Sequence, residues 1–229
     1  MISVIIPTMW RAPHTLRLLQ QFNEHPSVGE IILIDNDTSK TKQEIFSNSK
    51  LVYLPQKENQ FVNPSWNLGV KTAKYDRLCI CNDDCLVNLK FLTEFEKHIT
   101  PDKGLIGFTE ASFLHDRSDT FDKFDAYRIQ GFGDEITLVE RSDPMPHICY
   151  GVCMFVHKDS YHEIPSDFKV DFGDLFVYVL NKFKYSKKNY AIDKGLILTK
   201  MSCTGADFAD HKEQERKIFY DVFKRYGLE

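Results

Sequence analysis

The chain has 229 residues, of which 42% are hydrophobic and 13% aromatic, enough for one domain with a sizeable core. Its formal net charge is −4, from 29 Lys and Arg against 33 Asp and Glu. Proteins that bind nucleic-acid backbones usually carry a basic surplus or stripe. We therefore expect a single domain over residues 1–229 that does not bind nucleic acid.

The sequence indicates neither a membrane protein nor a secreted one. No apolar run approaches the roughly 20 residues of a membrane-spanning helix. The first residues, Met1 to Pro7, contain neither a basic leader nor a small-residue cleavage site. Six cysteines are present, and none forms a Cys-x-x-Cys pair, which disfavours a structural zinc site. We expect a cytoplasmic protein with reduced core thiols and no membrane span.

The first hundred residues alternate between short apolar runs and stretches of helical periodicity. Apolar runs bounded by turn formers predict buried strands at residues 3–6, 30–34, 51–54 and 78–81. Helices are predicted after Pro13, from the capping-box pair Thr41 and Glu44, from Asn63-Pro64, and over residues 88–99 with Leu92, Phe95 and Ile99 inward. This alternation indicates an α/β fold with a mixed, mainly parallel sheet flanked by helices.

The second half is less regular. Further strands are predicted at residues 105–108, 136–140, 148–156, 191–192 and 196–198, and helices at residues 172–183 and 207–226. Residues 109–135 lack periodicity, which predicts a long irregular segment. Such a segment is either a mobile lid over a substrate or a surface loop.

Three polar clusters follow predicted strands, namely Pro7-Thr8, Asp35-Asn36-Asp37 and Asn82-Asp83-Asp84. In open parallel sheets, ligands bind beyond the carboxyl ends of the strands. Adjacent carboxylates repel one another, and a hard divalent cation removes that penalty. Taken alone, residues 82–84 are equally compatible with a solvated turn, since Asn and Asp are common turn residues. Three clusters at one edge favour a site for a metal ion and phosphates.

Two common nucleotide-binding motifs are absent from the sequence. No Gly-x-Gly-x-x-Gly follows the first strand, and no Gly-x-x-x-x-Gly-Lys-Ser/Thr occurs. Their absence disfavours a Rossmann dinucleotide site and a P-loop NTPase. The remaining possibility is a nucleotide site formed by acidic residues and a metal ion.

Four segments, in order and spacing, resemble the nucleotide-sugar glycosyltransferases of the GT-A fold, and specifically the inverting glycosyltransferase family 2. These segments are residues 2–8, 32–36, 67–69 and 82–84. Residues 151–155 and 171–174 are similar to the acceptor-side strand and acidic motif of that family. The resemblance implies a Rossmann-like GT-A domain. Residues 1–100 would form its nucleotide-sugar-binding half and residues 101–229 its acceptor-side half.

The resemblance also implies individual roles. The residues that would bind the donor are Pro7, Thr8, Asp35, Asn67, Asp83 and Lys200. Asp84 would be the main ligand of a Mn²⁺ or Mg²⁺ ion, with Asn82 and His211 as further ligands. Asn82 stands where the family has the first Asp of its Asp-x-Asp motif. Asp174 would be the general base, with Asp171 as its nearest competitor.

We therefore expect a metal-dependent inverting transferase that moves a sugar from a nucleoside-diphosphate donor, with a UDP-sugar as the leading candidate, to an acceptor hydroxyl. The acceptor could be a glycan, a lipid-linked glycan, a protein, a small molecule or a modified base. Two alternatives remain open. A nucleotidyltransferase also needs carboxylates and Mg²⁺, and a GT-A domain can hold a nucleotide or glycan without turnover.

Overall fold

The computed structural model describes residues 1–109, 112–115, 120–143, 150–199 and 208–228. The strands are β1 Ile2–Thr8, β2 Val28–Asp35, β3 Leu51–Pro55, β4 Arg77–Cys81, β5 Cys85–Val87, β6 Lys103–Phe108, β7 Phe113–His115, β8 Thr137–Arg141, β9 Cys153–His157, β10 Lys188–Asp193 and β11 Ile197–Thr199. The helices are α1 Thr15–Glu24, α2 Val62–Thr72, α3 Leu92–Phe95, α4 Thr120–Ile129, α5 Gly173–Val179 and α6 Ala209–Arg225.

The central sheet has eight strands in the order β3-β2-β1-β4-β9-β6-β10-β8. Strands β3, β2, β1 and β4 pair in parallel, as do β6 and β10. Strand β9 is antiparallel to both β4 and β6, and β8 is antiparallel to β10. Six strands therefore run in one direction and two in the other, which confirms the predicted mixed, mainly parallel sheet. A second sheet has the order β5-β11-β7.

Alternation along β1 divides the core between the two faces of the central sheet. Val4 and Ile6 join Leu18 and Phe22 of α1 in one buried cluster. Ile5 points to the opposite face, where the other cluster contains buried residues of α2, α5 and α6. The helices thus cover both faces, as buried parallel strands require.

Contact between α2 and β1 depends on a glycine. A Cβ atom added at Gly69 would lie 2.3 Å from Cγ2 of the fully buried Ile5. We expect Gly69→Ala to lower the free energy of unfolding by about 1–2 kcal/mol, because overpacking outweighs the gain in helix propensity. Urea unfolding measures this change. Lys71→Ala on the exposed side of the same helix is the control, and equal losses in both variants would contradict the packing explanation.

The predicted irregular segment at residues 109–135 is wrong in part, because its described residues include β7 and α4. Strand β7 has three residues, too few to show an alternating pattern. Helix α4 buries Phe124, whereas Ile129 is 77% exposed and Tyr127 36% exposed. An apolar stripe is therefore missing from the sequence of this helix.

Tertiary contacts also displaced three predicted helix features. Thr41 donates its hydroxyl to Asp35 and does not cap the short 3-10 helix at Gln43–Ser47. Helix α2 begins at Val62, one residue before the predicted cap Asn63. The helix predicted over residues 88–99 is reduced to α3 and a 3-10 turn, although its inward residues Leu92, Phe95 and Ile99 are buried as expected.

The helix predicted over residues 172–183 changes type along its length. α5 ends at Val179 and continues as a π-helical turn, Leu180–Lys184. The i, i+4 spacing of Leu175, Val179 and Phe183 would place all three on one face of a regular α-helix. The wider turn breaks this register, and Phe183 is 55% exposed. Residues 148 and 149 of the strand predicted over residues 148–156 lie outside the described residues, and Tyr150–Val152 form a 3-10 turn before β9.

Two expectations from composition concern the cysteines and the membrane. Cys79, Cys81, Cys85 and Cys153 are buried free thiols, while Cys149 and Cys203 lie outside the described residues. Within the described ranges, no helix combines the length and apolar character needed to cross a bilayer.

Candidate active site

The ends of three parallel strands bring the predicted polar clusters together. Thr8 at the end of β1 is paired with Asp35 at the end of β2, and the N–H of Asn36 donates to the carbonyl of Thr8 over 2.9 Å. Strand β4 pairs with the other side of β1. The turn after β4 therefore lies beside Thr8, whose Oγ1 donates to Oδ2 of Asp83 over 2.5 Å.

An open cleft lies at this edge of the sheet. Its lining residues are Pro7, Thr8, Met9, Arg11, Asn36, Asn59, Phe61, Val62, Asn82, Asp83, Asp84, Val170 and Phe208. Five of the residues predicted to bind the donor or the metal thus share one cleft: Pro7, Thr8, Asn82, Asp83 and Asp84.

Asp83 is held by hydroxyl groups in an electrostatically unfavourable position. Thr15 Oγ1 donates to the carboxylate over 3.3 Å, in addition to the hydrogen bond from Thr8. The pKa of Asp83 is raised to about 7, chiefly by burial and also by the charge of Asp84, and the two hydroxyl groups oppose this shift. Near neutral pH, the two adjacent carboxylates therefore repel one another in a site of low polarity.

This donor set fits a hard divalent cation. Such an ion prefers oxygen ligands and stabilises the charged form of both carboxylates. Asp84 is 8% exposed and lines the cleft beside Asn82, whose backbone N–H donates to the carbonyl of Val152. Among the described residues, no three His, Cys, Asp or Glu side chains form a cluster able to hold a metal ion. His211 packs its ring 4.7 Å from that of Phe61, and its role as a metal ligand stays a prediction.

The raised pKa of Asp83 gives a testable pH dependence. A carboxyl group with a higher pKa in the folded state than in the unfolded state favours folding when protonated. In EDTA, the free energy of unfolding should fall by up to about 4 kcal/mol as the pH rises from 4 to 8, because deprotonated Asp83 is disfavoured in the folded protein. Urea unfolding at several pH values should show a smaller fall in Asp83→Asn. Parallel curves for the two proteins would contradict this assignment.

Asp35 lies beneath the cleft rather than at its surface. The side chain is fully buried, and its Oδ2 accepts hydrogen bonds from Thr41 and from the hydroxyl of Tyr53 over 2.9 Å. Its Oδ1 accepts from the N–H of Asp37. Its neighbour Asn36 lines the cleft. In this conformation Asp35 shapes the turn after β2, and a direct contact between Asp35 and the donor stays a prediction.

Asn67 serves a structural role in this conformation. Its Nδ2 donates to the carbonyl of Ile164 over 2.8 Å, and its Oδ1 accepts from Tyr161 and from the N–H of Ile164. These contacts join α2 to the segment after β9 and use both ends of the amide. Asn67 is absent from the lining of the cleft, which argues against the predicted donor contact. Lys200 lies outside the described residues.

Asp174 occupies the first turn of α5 and is fixed by two backbone groups. Its Oδ2 accepts from the N–H of Gly151 over 2.8 Å, and its Oδ1 accepts from the N–H of Leu175 over 2.9 Å. Burial raises the pKa of this carboxyl group, although both N–H groups oppose the shift. Because Val152 follows Gly151 and bonds to Asn82, one short turn connects Asp174 to the 82–84 motif.

Asp171, the other candidate base, is engaged differently. Its carboxylate lies 3.6 Å from Nζ of Lys212 in α6. Its backbone carbonyl accepts from Nδ2 of Asn63, and its N–H donates to Glu215. The Asp171 carboxylate is thus directed to α6, whereas that of Asp174 is held by the N–H of Gly151 beside the turn that bonds to Asn82. This orientation makes Asp174 the better placed of the two candidate bases.

Several cleft residues carried no motif in the sequence. Arg11 follows β1 by three residues and brings a positive charge to the cleft, and Phe61 precedes α2 and forms part of its wall. Phe61, Trp10 and Phe172 adopt positive φ angles of 64°, 58° and 63°. Such backbone angles in bulky residues often mark functional sites. The sequence offered one signal for these residues, namely a cation three positions after the end of β1, and this cation is Arg11.

Known proteins resemble this chain in sequence family and in fold. The family model described as glycosyl transferase family 2 matches residues 3–164. The structure of S. aureus TarS 1-349 superposes with a TM-score of 0.61 and 16% identity over 97% of this chain. Its complex with UDP gives 0.63 at 15% identity over 97% of this chain, and the complex with UDP-GlcNAc gives 0.60 at 15% over 86%. The alignments cover 65%, 65% and 58% of the TarS chains. No curated protein matches the chain significantly.

Proposed function

Because the chain belongs to glycosyl transferase family 2, we propose that it is a metal-dependent inverting glycosyltransferase that uses a nucleoside-diphosphate sugar. The observation that carries this proposal is the cleft at the ends of β1, β2 and β4. Its lining brings together Thr8, Asp83 and Asp84. Paired carboxylates that line an open cleft suit a diphosphate bound through a cation.

The lining residues of the cleft suit different parts of the donor. Arg11 provides a cation that can neutralise phosphate charge. Phe61, Val62 and Phe208 give part of the lining an apolar and aromatic surface, which suits the face of a nucleobase or sugar. Thr8 and Thr15 hold the carboxylate of Asp83, which also lines the cleft.

A divalent metal fits this site and would be held by Asp84, with Asn82 and His211 as further candidate ligands. When bound, Mn²⁺ or Mg²⁺ supplies Lewis-acid stabilisation of the negative charge on the leaving diphosphate. Asp83 and Asp84 together create the negative potential that attracts the ion.

Asp174 is the proposed general base. Its carboxylate is oriented by the N–H groups of Gly151 and Leu175, and its raised pKa makes it a better proton acceptor than an ordinary aspartate. It would remove the proton from an acceptor hydroxyl as the oxygen attacks the anomeric carbon. A single displacement of this kind inverts the configuration at that carbon.

A uridine nucleotide is the proposed donor class. TarS structures with the same fold contain UDP and UDP-GlcNAc, and this supports UDP as the first nucleotide to test. The acceptor is a hydroxyl-bearing molecule that must approach from the side of Gly151 and Asp174, where the base is held.

Titration calorimetry tests the donor site. UDP should bind the wild-type protein in Mn²⁺ and should bind much more weakly in EDTA, because the cation removes the repulsion between the carboxylates and the diphosphate. CMP is the control ligand, because it is also an anionic nucleotide but has a different base and one phosphate. It should bind more weakly than UDP. Absence of UDP binding in Mn²⁺ would refute the proposed donor class.

A further inference from the structure

Glu215 is a buried acid in a helix with a charged outer face. It lies in α6 and is 3% exposed, whereas the side chain of Glu213, two residues earlier, is 68% exposed and pairs with Lys217. A buried carboxylate is costly unless it is fully hydrogen-bonded. The buried carboxylate of Glu215 therefore needs several hydrogen-bond donors around it.

Three successive backbone N–H groups provide those partners. Oε1 of Glu215 accepts from Lys169 over 2.8 Å and from Val170 over 3.0 Å, and Oε2 accepts from Asp171 over 2.7 Å. Charge-assisted hydrogen bonds of this kind are stronger than neutral ones. All three donors belong to the segment that leads into α5.

The carbonyl groups of the same segment are held from the other side. The N–H of Asn63 donates to the carbonyl of Lys169 over 3.0 Å, and its Nδ2 donates to the carbonyls of Phe168 and Asp171. Residues 168–171 therefore lie between an acceptor in α6 and a donor in α2. Both helices belong to the same face of the central sheet.

This segment connects the two functional parts of the site. Val170 lines the nucleotide cleft, and three residues beyond Asp171 the chain reaches Asp174. Between them, Phe172 takes a positive φ of 63°, a conformation that a bulky residue holds only when its surroundings impose it. Fixing the three N–H groups before Phe172 fixes the direction in which α5 starts.

We propose that Glu215 is a positioning residue that clamps residues 169–171 and thereby sets Asp174 against Gly151 for proton removal from the acceptor. The inference rests on the proposed function, because it assigns Asp174 as the base. Glu215 itself touches no substrate. It acts through the backbone of the segment between α2 and α6.

The test compares Glu215→Gln with Glu213→Gln on the same helix. The probe reaction is UDP release from UDP-GlcNAc and other UDP-sugars in Mn²⁺. We expect kcat of Glu215→Gln to fall about 10- to 100-fold, since small displacements of a catalytic group have effects of this size. UDP affinity should change less than about threefold, because Val170 is the one residue of the segment 169–171 that lines the cleft. Glu213→Gln should match the wild type.

Other outcomes overturn the proposal. If Glu215→Gln keeps the kcat of the wild type, the proposal is contradicted. Equal losses of kcat and of UDP affinity also contradict it, because they would indicate general unfolding of the site. Where Glu215→Gln does not fold, hydrogen exchange on the wild-type protein decides. The amides of Lys169, Val170 and Asp171 should be protected as strongly as those of β1, and fast exchange contradicts the clamp. If the wild-type protein releases UDP from no UDP-sugar, the proposed function fails instead.

Discussion

Replacing Asp84 with alanine should lower the affinity of the protein for UDP in Mn²⁺ by at least about 100-fold. Asp84 is 8% exposed, lines the cleft and raises the pKa of its neighbour Asp83 through its charge. Outer-shell partners of metal ligands already account for 10- to 100-fold in metal affinity, so a direct ligand should account for at least as much. Calorimetry with UDP in Mn²⁺ measures the change.

A second feature of Asp84→Ala separates metal binding from damage to the fold. Its residual UDP affinity should no longer depend on Mn²⁺, whereas the wild type should lose affinity when EDTA is added. Asp102→Ala, at an exposed turn before β6, should bind UDP like the wild type. If Asp84→Ala keeps Mn²⁺-dependent UDP binding, the metal is held elsewhere and the interpretation of residues 82–84 is wrong.

Replacing Asp174 with asparagine should lower kcat by about 10²- to 10⁴-fold, the usual contribution of a general base. Asparagine keeps the size of the side chain and an oxygen that can accept from Gly151, so the turn at residues 150–152 should persist. UDP affinity should therefore be retained, since Asp174 is absent from the lining of the nucleotide cleft. Rates of UDP release and UDP titrations measure the two effects separately.

Asp171→Asn is the matched control for the base. Asp171 is three residues away and pairs with Lys212, but its carboxylate lacks the bond to Gly151 that orients Asp174. We expect the Asn variant at residue 171 to keep most of its activity. The opposite pattern, with Asp171→Asn inactive and Asp174→Asn active, would move the role of base to Asp171.

The pH dependence of kcat should reflect the same group. Asp174 must be deprotonated to accept a proton, and burial raises its pKa above the ordinary value for aspartate. Activity should consequently fall as the pH drops through that raised pKa. An acid limb at the pKa of a solvent-exposed aspartate would argue that a different carboxylate acts as base.

The edge of the sheet was predictable because its signals are local. Strands β1 and β2 are apolar runs that end in Thr8 and Asp35, and Asn82 directly follows β4. Parallel pairing places such strand ends side by side. Both the mainly parallel sheet and the membership of family 2 inferred from these motifs are confirmed. Order along the chain therefore carried enough information to place the cleft.

Side-chain partners across the fold were not predictable in this way. Nothing near Asn67 indicated that Ile164 and Tyr161 would occupy its amide, and nothing near Asp35 indicated Tyr53. Glu215 looked like one more charge on a charged helix, although its partners lie more than 40 residues earlier. Contacts of such sequence separation depend on the assembled fold, which periodicity and spacing do not describe.

The most direct measurement is the release of UDP from a panel of UDP-sugars by the wild-type protein in Mn²⁺, with Asp174→Asn as the inactive reference. A metal-dependent inverting transferase should release UDP from at least one of them, and the release should stop in EDTA and in the variant. UDP that binds in Mn²⁺ without any turnover would indicate a binding module. Pyrophosphate release from UTP would indicate a nucleotidyltransferase, and either result would contradict sugar transfer.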